Sequence, residues 1–297
     1  MQKNDLSDRI FDIVNIVILV LVLLVVLYPL IFVVSASVSD PILVNQGKVW
    51  LIPKGINFEG YERVFRNSEI VTGYRNTVFY TVFGTLINLF VTLTCAYSLS
   101  RKDLRGRGLF MALFTFTMFF SGGLIPTFIL VKNLGLYNTI WALVLPNAAA
   151  MYNIIVARTY MQVNIPLELQ EAAFIDGCSN TRLFLKIVMP LSAPIIAVTA
   201  LFYGVSHWNS FFNALIYLSN RSLFPLQLII REILIESQMS AQMITSGGNI
   251  EAMAEQARIA EIVKYAVIIV STVPVLIVYP FLQRYFTQGI MVGALKG

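Results

Sequence analysis

Residues 164–194, NIPLELQEAAFIDGCSNTRLFLKIVMPLSAP, read as two short charged helices hinged at a glycine. Glu168, Glu171 and Asp176 precede Arg182 and Lys186, while the segments on either side are almost free of charge. Pro166 suits the first helical position, with Asn164 or Ile165 outside as cap, because a first turn has no use for the N–H that proline lacks. Gly177 supplies the left-handed residue that ends a helix, Ser179 caps the next, and Pro190 is expected to stop it. Leu169, Ala172, Ala173, Phe174, Leu183 and Phe184 are mixed among the charges. Such a pair is a surface built to be gripped, although an ordinary amphipathic connector has the same local pattern.

The flanking sequence belongs in a bilayer. The chain is 57% hydrophobic and 12% charged, half the charge of a typical soluble domain, and its mean hydropathy is +0.75. Six charge-free runs reach the roughly 20 residues a helix needs to cross the hydrocarbon core: 13–38, 76–100, 109–131, 136–157, 191–218 and 265–283. Val34-Ser35-Ala36 imitates a signal cleavage site, but the apolar core before it is about twice a signal's length, so this segment is expected to remain as an anchor. The net charge of +5 reports orientation first and does not point to nucleic acid. Cys95 and Cys178 fall in different layers and are expected to remain thiols.

Lys and Arg in the short connections set the topology. Arg101 to Arg107, RKDLRGR, holds four bases, whereas the turn between the third and fourth spans has only Lys132. The first goes to the cytoplasm, and with six spans both termini follow, as does the loop 158–190. Outside lie 39–75 and 219–264. The first mixes Pro41, Gly47, Pro53 and Gly55 with Trp50, Phe58, Tyr61 and Phe65, which reads as a folded cap. The second is expected to hold a short helix, Leu226 to Glu236, and a Ser246-Gly247-Gly248 tip; a long polar loop of this kind usually has a partner.

No P-loop, HExxH, CxxC or GxSxG occurs, and His207 is the single histidine, so an enzyme has no residues to stand on. The six runs also contain no Asp, Glu, Lys or Arg, the groups with which gradient-driven carriers move protons or sodium. Energy for pumping must then enter from outside the chain, and the charged helix pair is the port. The fifth run is polar but uncharged: Tyr203, His207, Trp208, Asn209, Asn213 and Tyr217 are the candidate substrate pathway. Asn209 and Asn213 share a helical face that Tyr217 continues, and amides beside aromatic rings suit a sugar. The same residues serve equally as helix-to-helix glue. Ser121-Gly122-Gly123 before Pro126 loosens the third span, as a hinge or for close packing.

Glu171-Ala172-Ala173, then Asp176-Gly177, then Ile187 and Met189-Pro190, resembles the EAA loop of ABC-importer permeases. Met189 replaces the usual Leu and Cys178 the usual Ala. The whole chain, including HWNSFFNALIY, FPLQLIIREIL and the glycine-rich tail 288–297, is similar to carbohydrate-uptake permeases of the MalG type, in the subgroup importing oligosaccharides released from complex polysaccharides. The resemblance implies an all-α polytopic membrane protein, a single type I importer permease domain over 1–297, in the bacterial cytoplasmic membrane. It implies a second permease as heterodimer partner, two copies of an ATPase that hold the ATP and Mg, and an extracytoplasmic solute-binding protein, with no cofactor in this chain. Glu171, Ala172, Ala173, Asp176, Gly177 and Pro190 would form the ATPase-coupling surface, with Lys296 and Gly297 as a C-terminal ATPase contact. Gln242, Ser246, Gly247, Gly248 and Asn249 would reach the solute-binding protein. In the relatives most sugar contacts lie on the other permease. The rival readings are an ABC permease for another small solute, and a channel or gradient-driven carrier whose loop recruits a regulator.

Overall fold

The computed structural model describes residues 6–244 and 250–294, and its regular structure is helical, without a strand among the described residues. Helix α1 spans Leu6–Ser37, α2 Pro41–Asn45, α3 Glu59–Arg66 and α4 Ser68–Ser100. They are followed by α5 at Arg107–Phe119, α6 at Leu124–Asn133, α7 at Trp141–Val144 and α8 at Met151–Asn164. Next come α9 at Leu167–Ile175, α10 at Asn180–Leu183, α11 at Met189–Leu191, α12 at Ala193–Trp208 and α13 at Phe212–Tyr217. The last two are α14, Leu226–Ile244, and α15, Ile250–Ala294. Two compact units form, Met1–Ser68 with Ile230–Val273, and Glu69–Ile229 with Pro274–Gly297.

Among the described residues, three helices are long and apolar enough to cross a membrane: Asp8–Ser37, Ser68–Ser100 and Arg258–Phe281. Two bent pairs, α5 with α6 at 113° and Asn180–Leu191 with α12 at 80°, raise the number to five if each pair is one broken span. By length and composition alone, the described residues thus give fewer uninterrupted spans than the six expected runs. The third expected run breaks at Phe120–Gly123, where Gly123 takes φ +83, as its glycines and Pro126 allow. The fourth, 136–157, holds only the four-residue α7 and the start of α8, because 145–150 carries Pro146 and leaves the helical path. Within the fifth, α12 ends at Trp208, so Asn209 and Asn213 do not share the continuous helical face expected of them. The second and sixth runs sit inside longer helices, and the short helix expected over 226–236 extends to Ile244. The Ser246-Gly247-Gly248 tip lies outside the described residues.

The first unit shows why a cap forms after α1. Val49 and Val44 bury against Ala36, with Phe32 and Tyr265 packed beside them. Ser35 Oγ donates to Leu51 O (2.6 Å), Ser39 Oγ to Ser35 O (2.6 Å), and Ser39 Oγ accepts from Lys54 N (3.1 Å). Asp40 caps α2 through Ile42 N. Helix α3 lies against α15 at Gly60, where a Cβ would stand 2.8 Å from the Ile262 carbonyl.

Glu59 joins the same contact, since its carboxylate receives Arg63 at 2.7 Å and Arg258 at 3.1 Å. Hydrogen bonds from Arg63 first, then Arg258, hold its pKa below the ordinary 4.5. A carboxyl with a depressed folded-state pKa stabilises fully above its ordinary value, and the stabilisation fades as pH falls toward the folded value. Acidification below about pH 4.5 is therefore expected to loosen α3, read as faster amide exchange over 59–66 after correction for intrinsic rates, and Glu59→Gln should give the same loosening at pH 7. Equal protection in wild type and Glu59→Gln would remove the carboxylate from this contact.

Candidate coupling surface and the polar spine behind it

Local sequence builds the charged loop. Pro166 stands one place earlier than expected, as N-cap of α9 and not as its first residue. At the other end Cys178 N donates to Ala173 O (2.9 Å) and Gly177 N to Phe174 O (3.0 Å), with Gly177 at φ +71. Those two bonds are the Schellman pair, which closes a helix on a left-handed residue. Ser179 caps α10 as expected, its Oγ accepting from Arg182 N. Pro190 does not stop the helix: a π-turn over Phe184–Val188 precedes it and the chain runs helically to Leu191. The wider turn opens the space that a proline ring would otherwise contest with the carbonyl four residues back.

The loop has an inner and an outer side. Ala173 is buried with Leu183, Val188, Ala157, Met161, Leu93 and Tyr97. Glu171, Ala172, Asp176, Gly177 and Pro190 are exposed, and Ile175 is 86% exposed at the tip of α9. Of the six expected coupling residues, Ala173 therefore seats the loop while the other five face outward. Arg158 and Gln162 of α8 cap the end of α4, donating to Leu99 O (3.1 Å) and Ser100 O (3.2 Å). Burial, with Arg107 nearby, pushes the Arg158 guanidinium pKa down. This brace is not legible in the sequence, because its donors lie about sixty residues beyond the carbonyls they serve.

Behind the loop, α4 carries one line of buried polar residues. Asn76 Nδ2 donates to Ser222 O (2.7 Å) and Phe224 O (3.1 Å), Tyr80 OH to Leu223 O (2.8 Å), and Thr77 Oγ1 accepts from Leu226 N (2.8 Å). Further along, Asn88 Nδ2 donates to Asn147 O (2.7 Å) and Ala148 O (3.0 Å). Tyr203 OH takes Ala150 N (3.2 Å) and pairs with Thr92 Oγ1 (2.7 Å), and His207 Nε2 meets Asn88 Oδ1 (2.7 Å). Non-helical backbone at membrane depth survives only where its polar groups find partners, and here α4 and α12 supply them.

The candidate pathway residues thus divide. Tyr203 and His207 are engaged in this clasp, and Tyr217 is buried with its ring stacked on Phe128. Trp208 meets Tyr74 edge to face and lines an apolar cleft of about 320 Å³ with Val82, Gly204 and Pro274. Asn209 is exposed and caps its own helix through Val205 O (2.9 Å), and Asn213 is half-buried. Helix α14 includes Gln242 in its backbone, while Ser246, Gly247, Gly248, Asn249, Lys296 and Gly297 lie outside the described residues. No group of three metal-ligating side chains gathers among the described residues.

The chain is 39% identical to Protein LplC of Bacillus subtilis (strain 168), over 99% of this chain and 97% of that protein. It is 40% identical to the polygalacturonan/rhamnogalacturonan transport system permease protein YtcP of the same organism, over 98% and 100%. A chain from the crystal structure of a bacterial ABC transporter involved in import of the acidic polysaccharide alginate superposes with a TM-score of 0.85 at 36% identity, covering 96% of this chain and 100% of that one. The profile of binding-protein-dependent transport system inner membrane components matches residues 70–292. The chain therefore belongs to that family, the permease subunits of ABC importers.

Proposed function

We propose that this chain is the sugar-importing permease of a two-permease complex, with an oligosaccharide of polysaccharide origin as cargo. The observation that carries the cargo is the near full-length similarity to relatives named for polygalacturonan, rhamnogalacturonan and alginate import. A solute-binding protein delivers the saccharide, and two copies of an ATPase, which hold ATP and Mg, drive the cycle. The chain itself is not a catalyst. Docking is assigned to the outward face of α9 around Glu171, Ala172, Asp176 and Gly177, with Pro190 beside it and Ala173 beneath. The tail at Lys296 and Gly297 is a second ATPase contact, and Gln242 to Asn249 reaches the binding protein. Six crossings, both termini in the cytoplasm and the loop 158–190 on the same side complete the proposal. Asn209 and Asn213, with neighbouring Tyr203, His207, Trp208 and Tyr217, border the sugar path, the first two having the more accessible side chains.

The test is the complete importer in proteoliposomes, with its binding protein and a panel of labelled oligosaccharides. Glu171→Lys and Gly177→Val should each abolish binding-protein-stimulated hydrolysis and uptake while the complex still reaches the membrane. Gly177 has no atom near a built Cβ, so the valine acts through the left-handed backbone, at roughly 1–2 kcal/mol, and not through a clash. Full stimulated hydrolysis in both variants rejects the docking face. Uptake by this chain alone without nucleotide supports the carrier or channel reading instead, and accumulation of only non-saccharide solutes rejects the cargo.

A further inference from the structure

The guanidinium of Arg101, one residue beyond α4, uses all three of its nitrogens and one face. Nε and Nη2 donate to Asp103 Oδ1 (2.8 Å) and Oδ2 (2.6 Å), and Nη1 donates to Tyr97 OH (3.1 Å). Its Cζ lies 5.2 Å from the ring centroid of Phe174 on α9. Only 13% of the side chain is exposed. Tyr97, 5.8 Å from the same guanidinium, also meets the Phe184 ring at 4.9 Å, in the π-turn that follows α10.

Helix α9 is joined through the backbone only to α8 and α10, and Ala173 seats it in one buried cluster with Leu93 and Tyr97 of α4. Arg101 adds a second attachment to the end of that helix, some seventy residues earlier in the sequence. In α4 the buried polar line holds 222–226 and 147–148 in place.

We infer that Arg101 is a positioning residue for energy coupling: it fixes Phe174 of α9 to the end of α4, so that movement of the docking helix is delivered to α4 directly. The inference rests on the docking role proposed above for α9. The planar geometry is specific, because lysine cannot hold Asp103 in a two-pronged grip while presenting a flat face to a ring.

The experiment uses the assembled importer in proteoliposomes and reads ATP hydrolysed per solute taken up. Arg101→Lys, Arg101→Met and Phe174→Leu should each raise this ratio by about fivefold, the size expected from loss of a partly buried cation–π contact. The double variant Arg101→Met with Phe174→Leu should be no worse than the more severe single, since both remove one contact. A structural role alone would lower complex yield and both activities together and leave the ratio unchanged. An unchanged ratio in Arg101→Lys and Phe174→Leu, or effects of the two singles that multiply in the double, overturns the inference. Glu171→Lys run alongside separates the two readings. If it keeps stimulated hydrolysis and uptake, the docking role itself fails; if it loses both while the Arg101 and Phe174 variants keep the wild-type ratio, only the positioning role fails.

Discussion

Gly84→Ala is expected to destabilise the chain by about 3 kcal/mol, roughly 1–3 from overpacking and the remainder from a broken membrane hydrogen bond. A Cβ at position 84 would stand 2.5 Å from Nε2 and 2.6 Å from Cε1 of His207, distances at which one of the two must move. The imidazole has nowhere inexpensive to go. Its Nε2 is held 2.7 Å from Asn88 Oδ1, and Asn88 is fixed in turn by the carbonyls of Asn147 and Ala148. Displacement of the ring therefore opens the clasp that supports the 145–150 break. Unfolding in mixed micelles and yield from membranes measure the effect. Gly108→Ala is the control, because nothing lies within 4 Å of a Cβ there and the residue is in helix α5; it should be neutral or more stable by about 0.5–1 kcal/mol. Removing the ring with His207→Ala should recover part of the loss in Gly84→Ala. A Gly84→Ala protein with wild-type yield and midpoint would mean that the two helices separate freely.

How much of this was written locally in the sequence differs from one element to the next. Gly177 and Ser179 were readable because a helix end and a helix start are decided within four or five residues, and both formed as expected. Pro190 was not, because the π-turn that admits it depends on packing of Leu183 and Val188 against α8 and α4. Hydropathy marked 136–157 as one span since it counts apolar residues and is blind to continuity. Whether a break at Pro146 is tolerable depends on Asn88, 59 residues before the carbonyl it serves. An isolated asparagine in an apolar helix gives no sign of which backbone it will hold. The same blindness hid the end of α12 at Trp208, and it leaves Tyr203 and His207 chemically fit for a sugar yet committed to backbone and to α4. The helix, glycine and helix of 167–183 were legible because caps and a glycine stop are local signals, whereas Arg101 was hidden in a basic cluster that topology already accounted for.

Asn88→Ala is expected to be the most damaging single change inside the spine. Both hydrogens of Nδ2 are given to carbonyls, so Oδ1 must face the imidazole, and Nε2 of His207 must carry the proton that it shares with Asn88. Alanine leaves two carbonyls and one ring N–H without partners around a side chain that is fully buried. A single hydrogen bond inside a membrane protein averages about 0.6 kcal/mol with a maximum near 1.7, so three failing together should cost about 2–5 kcal/mol. Leucine, close in volume, separates packing from hydrogen bonding: it refills the space yet donates nothing. Asn88→Leu should therefore fall nearly as far as Asn88→Ala, while His207→Ala, which spares both carbonyls, should fall less. Amide exchange over 145–151 is the local readout, because this segment loses its anchor in the Asn88 variants and keeps it in His207→Ala. If Asn88→Leu is as stable as wild type, packing alone holds the break and the polar spine is ornamental. If it unfolds first at 145–151, the interruption persists in the bilayer because α4 supplies the partners that water cannot.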